Sequence, residues 1–317
     1  GITTTWETLN GNIVSGNDIL TPVVDEIGTY TLTIFNTNNG CSITENVVVT
    51  EDLAPPNPQI GLPDTLTCVT ESLFLDASNS GDETDFQISW ETQNGAILSG
   101  DNTLNPEINE PGTYTLNLIN IGNGCSESLD IEVIQDIEIP TAEAGSDDLL
   151  TCAITTLNLN GTGTGNAPVT YLWDTQNGEI ISGINTPNPT VGAPGTYVLT
   201  ITNSFNGCTQ TDEVFVDEDV VSPPIVIATP DLISCIDTIV NIDATASISG
   251  SDYQIQWTTS DGIILDGDQT LMPNVGEVGT YHLTITNTQN GCVNSQPIAV
   301  QEDISILTAT IENPDLL

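Results

Sequence analysis

The groups in this chain with chemistry to offer are carboxylates and thiols. There are 44 Asp and Glu residues, no Lys, no Arg and one His, giving a formal net charge of −44 over 317 residues. Two Asp series stand out by spacing: Asp52, Asp136, Asp219, Asp303, and Asp64, Asp148, Asp231, Asp315. Members of the two series lie twelve residues apart across segments that contain Pro55-Pro56, Pro140 or Pro223-Pro224. Calcium takes six to eight oxygen ligands, so such a segment predicts a calcium-stiffened hinge. Glu51, Glu218 and Glu302 precede the first series, whereas Gln135 breaks it with a poorer ligand. The competing reading is solvated acids near strand ends. A second acidic loop, Asp76, Ser78, Ser80, Asp82, becomes Asn160, Thr162, Thr164, Asn166 one unit later and loses both acids, which argues against a fixed metal site there.

The seven cysteines fall into two series, Cys41, Cys125, Cys208, Cys292 and Cys68, Cys152, Cys235. Regular cysteines with one His and no Cys-x-x-Cys predict disulfides in an oxidising compartment rather than a metal centre. The simple pairing stays within a unit: Cys68–Cys125, Cys152–Cys208, Cys235–Cys292, with the partner of Cys41 upstream of the chain. Strand geometry raises an objection, because in a sandwich those pairs sit at opposite ends of a strand of about 3.3 Å per residue, while a disulfide needs Cα atoms within about 7 Å. The alternative staples neighbours, Cys68–Cys208 and Cys152–Cys292, leaving Cys41, Cys125 and Cys235 to partners elsewhere.

Other chemistry is excluded by what the residues lack. No side chain can neutralise phosphates, so nucleic acid is not a partner. An anionic membrane surface is excluded on the same ground, and no apolar run reaches the ~20 residues of a membrane-spanning helix. A glycosidase needs two opposed carboxylates in a cleft; here acids recur in every unit, which predicts no enzyme. His282 has no counterpart in the other units, where Thr31, Thr115 and Val198 stand.

The elements that position these groups are read from the repeat. Trp6, Trp90, Trp173 and Trp257 recur with a period of about 84 residues. The Asn-Gly-Cys triplets share that period, as do the Gly-Thr-Tyr triplets ending at Tyr30, Tyr114, Tyr197 and Tyr281. Each unit reads as strands of period two: Val169, Tyr171 and Trp173 share a face, as do Tyr197, Leu199 and Ile201. The four Trp and four Tyr are therefore expected in the cores, packing rather than stacking on sugars. Asn94-Gly95, Asn177-Gly178 and Asp261-Gly262 read as hairpins after the Trp strands, and Asn123-Gly124 and Asn290-Gly291 as a second hairpin. The expected fold class is all-β, a tandem array of β-sandwich modules of about 84 residues. The phase of the repeat predicts the back part of one module over 1–53, whole modules over 54–137, 138–220 and 221–304, and the start of another over 305–317, with a longer natural protein at both ends.

Leu73-Phe74-Leu75-Asp76-Ala77-Ser78, Ile88-Ser89-Trp90 and Pro111-Gly112-Thr113-Tyr114-Thr115-Leu116 resemble the polycystic-kidney-disease-type (PKD-like) immunoglobulin-like module. Together with Trp-x-Thr-x-Asn-Gly, Asn-Gly-Cys and Glu-Asp, the pattern is similar to tandem repeats in giant secreted surface proteins of Bacteroidota. That resemblance implies a secreted, cell-surface location, export through a type IX system, and a non-catalytic part in adhesins or appendage fibres. The expected partners are further copies of the module and identical chains in a fibre. The runner-up is a glycan- or protein-binding array with calcium at its junctions. Asp64-Thr65-Leu66 and Asp237-Thr238-Ile239 resemble an O-glycosylation signal of the same group, implying modification at Thr65 and Thr238.

Overall fold

The computed structural model describes residues 1–303 together with Ser305 and Ala309. Asp315 and nearly all of the expected module start at 305–317 lie outside the described residues. The chain divides into two compact units, Gly1–Ile137 and Glu138–Leu317.

In the second unit, alternating apolar residues produce two sandwiches in succession. Val169–Thr175, Gly195–Asn203 and Thr209–Asp219 form an antiparallel sheet, and Asp148–Thr151 adds to its edge in parallel with Thr209–Asp219, with Asp148 opposite Val216 and Thr151 opposite Asp219. Leu157–Asn158, Thr190–Val191 and Ile180–Ser182 make the facing sheet. Between them lie Trp173, Val191, Tyr197, Leu199, Ile201, Val214 and Val216, all essentially solvent-free. The next repeat copies this arrangement. Tyr253–Thr259, Gly279–Asn287 and Val293–Val300 face Val240–Asn241, Asn274–Val275 and Ile264–Asp266 across Trp257, Tyr281, Leu283 and Ile285. Here the parallel edge pairing is reduced to one bridge, Ile233 to Glu302.

In the first unit, Phe86–Thr92, Gly112–Asn120 and Ser126–Val133 oppose Leu73–Phe74, Glu107–Ile108 and Ile97–Ser99 around Trp90, Tyr114, Leu116 and Leu118. Gln135–Asp136 pairs in parallel with Leu66–Thr67. The first repeat supplies only Ile2–Leu9, Gly28–Asn36 and Ser42–Val49 plus the short pair Ile13–Ser15 and Val23–Val24. Tyr30 is buried there, but Trp6 is only half-buried, contrary to expectation. Among the described residues this repeat has no strand equivalent to Leu73–Phe74 or Leu157–Asn158, so that side of the indole is uncovered.

Each Trp is anchored the same way. Its Nε1–H donates to the carbonyl thirteen residues on, at Ile19, Thr103, Thr186 and Thr270. Each Tyr hydroxyl donates to the carbonyl four residues back, at Glu26, Glu110, Ala193 and Glu277. The same hydroxyl accepts the N–H of Asn12, Ala96, Glu179 or Ile263. Burial pushes the Tyr114 and Tyr281 phenols up from their ordinary range.

The expected hairpins after the Trp strands are not hairpins. Phe86–Thr92 pairs with Gly112–Asn120, while Ile97–Ser99 pairs with Glu107–Ile108, so Asn94-Gly95 carries the chain from one sheet to the other. The sequence pattern is nonetheless required. A Cβ at Gly95, Gly178 or Gly262 would collide with the Tyr hydroxyl. Asn94, Asn177 and Asp261 accept the N–H of Thr113, Thr196 and Thr280. The glycine is there for the tyrosine, and the Asn or Asp ties the arch to the strand that bears it. The second expected turns are true hairpins, and Gly124, Gly207 and Gly291 adopt φ of 76°, 71° and 72°, where L side chains are strained.

Candidate functional site: the stapled module junction

The residues that recur with chemistry meet at the join between the repeats of the second unit. The Asn-Gly-Cys triplet closes the hairpin between Gly279–Asn287 and Val293–Val300. Asn290 is 2% exposed, and its Oδ1 accepts the Cys292 N–H. Its Nδ2 donates to Asp219 Oδ1 at 2.9 Å and to the Val221 carbonyl at 3.1 Å. Asn294 Nδ2 donates to the Pro223 carbonyl at 2.9 Å. The chain entering the last sandwich is thus held by side-chain amides of that sandwich along residues 219–223. Equivalent amides do the same elsewhere, with Asn123 donating to the Ala54 carbonyl and Asn206 to the Glu138 carbonyl.

Cys292 is fully buried and disulfide-bonded to Cys152, with Cα atoms 5.0 Å apart and 140 residues between them in sequence. Beside the bond, the Ala153 N–H donates to the Asn290 carbonyl at 3.2 Å. Gly291 fits because it has no side chain; a Cβ there would lie 2.5 Å from the Ala153 Cβ. The three members of the triplet divide the work. Asn290 fastens the linker, Gly291 turns the chain and admits the neighbouring loop, and Cys292 bonds to it.

This pairing corrects the within-unit expectation for Cys152–Cys208 and Cys235–Cys292. The cause is the parallel edge strand. Thr151 sits opposite Asp219 at the end of Thr209–Asp219, whereas Cys208 lies at its start, so an eleven-residue strand separates them, about 36 Å of extended chain. Cys68 and Cys208 each take part in a disulfide as well. Cys41, Cys125 and Cys235 are free thiols in this chain, which overturns the expected Cys68–Cys125 bond and the assignment of Cys125 and Cys235 as bonded here.

At the junction between Asp219 and Asp231 the geometry does not bring the two carboxylates together. Asp219 lies beside the Asn290 turn, while the segment following Asp231 runs beside Gln301 and Glu302, at the other end of Val293–Val300. That strand of eight residues spans about 26 Å, too far for the two carboxylates to share an ion. Asp219 instead accepts from Asn290 and from the Val221 N–H. Asp52 and Asp303 likewise accept backbone N–H groups two residues on, Asp148 accepts that of Leu149, and Asp136 ends a parallel pair beside Thr67. Asp64 and Asp231 are exposed. Among the described residues no three of His, Cys, Asp or Glu gather as a metal ion would require.

The acidic loops act as turn caps. Asp76 is held below the usual carboxylate range by the Ser78 hydroxyl and N–H and by Asn105; Thr84 does the same for Asp82 and Thr245 for Asp243. Asp261 is lowered chiefly by the Thr280 N–H, and Asp303 by Ser305. Because these folded-state values are depressed, their support is present above the unfolded carboxylate value and is lost as pH falls through the folded one. His282 is exposed. Thr238 is exposed and Thr65 half-buried beside buried Leu66.

Two expected results arise here. Gly291→Ala places an L residue in the left-handed region, at about 1–2 kcal/mol, and drives its Cβ into Ala153. Hydrogen exchange should then rise at Ala153 and residues 219–223, while the hairpin bonds at Asn203 stay protected. Gly124→Ala is a control, since a Cβ there meets nothing within 4 Å and only the backbone strain remains. Second, raising NaCl from about 10 mM to about 150 mM shortens the screening length from ~30 Å to ~8 Å. With a net charge of −44 and no Lys or Arg, the thermal midpoint should rise by several degrees in calorimetry.

The chain is a tandem array of immunoglobulin-like β-sandwich modules. Among solved structures it is similar to Sidekick-1 immunoglobulin domains 1–5, at 13% identity and a TM-score of 0.27, covering 96% of this chain and 74% of that one. It is similar to Drosophila N-cadherin EC1–4, at 11% identity and a TM-score of 0.28, covering 95% and 92%. It is also similar to three N-terminal domains of the bacteriophage RB49 highly immunogenic outer capsid protein, at 10% identity and a TM-score of 0.32, covering 96% and 100%. No protein-family model and no curated protein matches the chain.

Proposed function

We propose that this chain is a non-catalytic structural segment of an extracellular stalk, fibre or surface appendage, whose modules serve to hold and project rather than to react. The observation that carries the reading is the junction at Cys152–Cys292, where a disulfide and three hydrogen bonds donated by side-chain amides hold successive modules and their linker together. A protein that used each module as a separate binding head would gain nothing from joining them covalently. Disulfides fit an oxidising, extracellular setting, and no helix among the described residues is long and apolar enough to cross a membrane. The Asn-Gly-Cys triplets recur with the repeat, as expected of a scaffold. PKD-like affinity, type IX export, adhesion or capture, and side-by-side packing of identical chains belong to the same reading, as does glycosylation at exposed Thr238.

The test is labelling of intact producing cells with an antibody raised against the purified chain, followed by electron microscopy. Gold on fibres projecting from the cell surface is the expected result. Antigen found only free in the medium, with glycan-array binding by the isolated chain, would overturn the stalk in favour of a binding array.

A further inference from the structure

The Cys152–Cys292 bond changes which atoms carry force. In a chain of β-sandwiches without crosslinks, tension runs through every residue, and each module that unfolds releases its whole length. Here the shortest covalent path leaves the backbone at Cys152, crosses the disulfide and rejoins at Cys292. Residues 153–291 lie in a closed loop beside that path. The loop contains Trp173, Val191, Tyr197, Leu199, Ile201 and Val214 of one core and Trp257, Val275, Tyr281, Leu283 and Ile285 of the next. Only the flanking edges remain in line with the force: Asp148–Thr151, and Val293–Val300 paired with Gly279–Asn287.

We infer that the staggered disulfide is a load bypass: tension applied between the segments that flank Cys152 and Cys292 is carried past two consecutive module cores, because the chain between the two cysteines cannot be drawn out. The stagger makes this possible. A bond within one module would shield part of that module and leave the linker beyond it in series; a bond reaching from one module into the next spans the linker as well. The junction supports the crossing. Buried Cys292 sits on a hairpin whose Asn290 holds residues 219 and 221, so the linker is protected by the bond that bypasses it. The inference deepens the stalk reading and shares its premise that the array bears load. Pulling on single molecules reads the bypass whatever the biological use, so failure of one is distinguishable from failure of the other.

Since the chain contains no Lys, Ile139→Lys and Gln301→Lys, both at exposed positions, supply two unique side-chain handles for an optical trap once the α-amino group is blocked. With the bond intact, only the short flanks from position 139 to Cys152 and from Cys292 to position 301 can be drawn out. Extension from those flanks should stay under about 80 Å. Adding dithiothreitol to the same tethered molecule should release the 140-residue separation, on the order of 500 Å, in steps as each module yields. Cys152→Ala with Cys292→Ala should show that length without reductant. Should the double variant fail to fold, reduction of the wild-type tether gives the same comparison. Release of the full loop length from the oxidised chain, or no gain on reduction at forces that unfold the modules, overturns the bypass.

Discussion

Replacing Cys152 and Cys292 together by alanine is expected to cost about 5 kcal/mol of stability in the second unit. A crosslink acts largely by restricting the unfolded chain, and the effect grows with the logarithm of the loop it closes. The separation of 140 residues places this bond at the upper end of the range, where the loop-entropy relation gives about 5 kcal/mol. Alanine is the right replacement because Cys292 is fully buried, and a serine hydroxyl there would add a polar group to the loss. Urea unfolding of the oxidised wild type and the variant, followed by tryptophan fluorescence, gives the difference. The hydrogen bonds that the Asn290 and Asn294 side-chain amides donate to the linker survive the change, so the modules should still fold but separate from one another at lower denaturant. A change below about 1 kcal/mol would mean that the unfolded chain is already held by other contacts.

Trp173→Ala should be nearly as costly, about 3–5 kcal/mol for a buried aromatic. The indole is wholly enclosed by Tyr197, Leu199 and their neighbours, and its Nε1–H satisfies the Thr186 carbonyl. Truncation therefore opens a cavity and strips a carbonyl of its partner at once. Single domains have only about 5–15 kcal/mol in hand, so this module should unfold in a separate transition well below that of its neighbour. The equivalent change at Trp6 should cost far less, because that indole is half-exposed although it makes the same bond to Ile19. Comparing the two variants separates burial from hydrogen bonding.

Much of the fold was legible because the period of the repeat and the alternation of side chains are local properties of the chain. Trp90, Trp173 and Trp257 fall on inward strand faces, and any sequence that alternates Val169, Tyr171, Trp173 must bury one face. Turn chemistry was less legible. Asn-Gly after the Trp strand has the composition of a hairpin, yet its glycine is demanded by the hydroxyl of a tyrosine on a later strand, a contact that local pattern cannot express. Asn36, Asn120, Asn203 and Asn287 share the same period and each caps a hairpin through the N–H two residues on. The repeat marks their positions, but the Asn residue type alone does not separate a turn cap from a solvated amide. The cysteine pairing depended on a parallel edge strand, Asp148–Thr151, whose direction leaves no mark in composition. The acids misled in the opposite way: equal spacing suggested a shared ligand, but at the 219–231 junction the linker carries the two carboxylates apart instead of together.

The distance of Cys152 from its partner along the chain also dictates the order of events as the protein is made. When Cys152 first meets an oxidising environment, Cys292 has not yet arrived, and the next thiol in sequence is Cys208. Random oxidation of the unfolded chain would close that shorter loop first. The correct bond exists only after the later hairpin has formed and brought Cys292 to Ala153. The module that carries Cys152 must therefore keep that thiol open until the next has folded against it, so that formation of this bond reports a neighbour correctly in place.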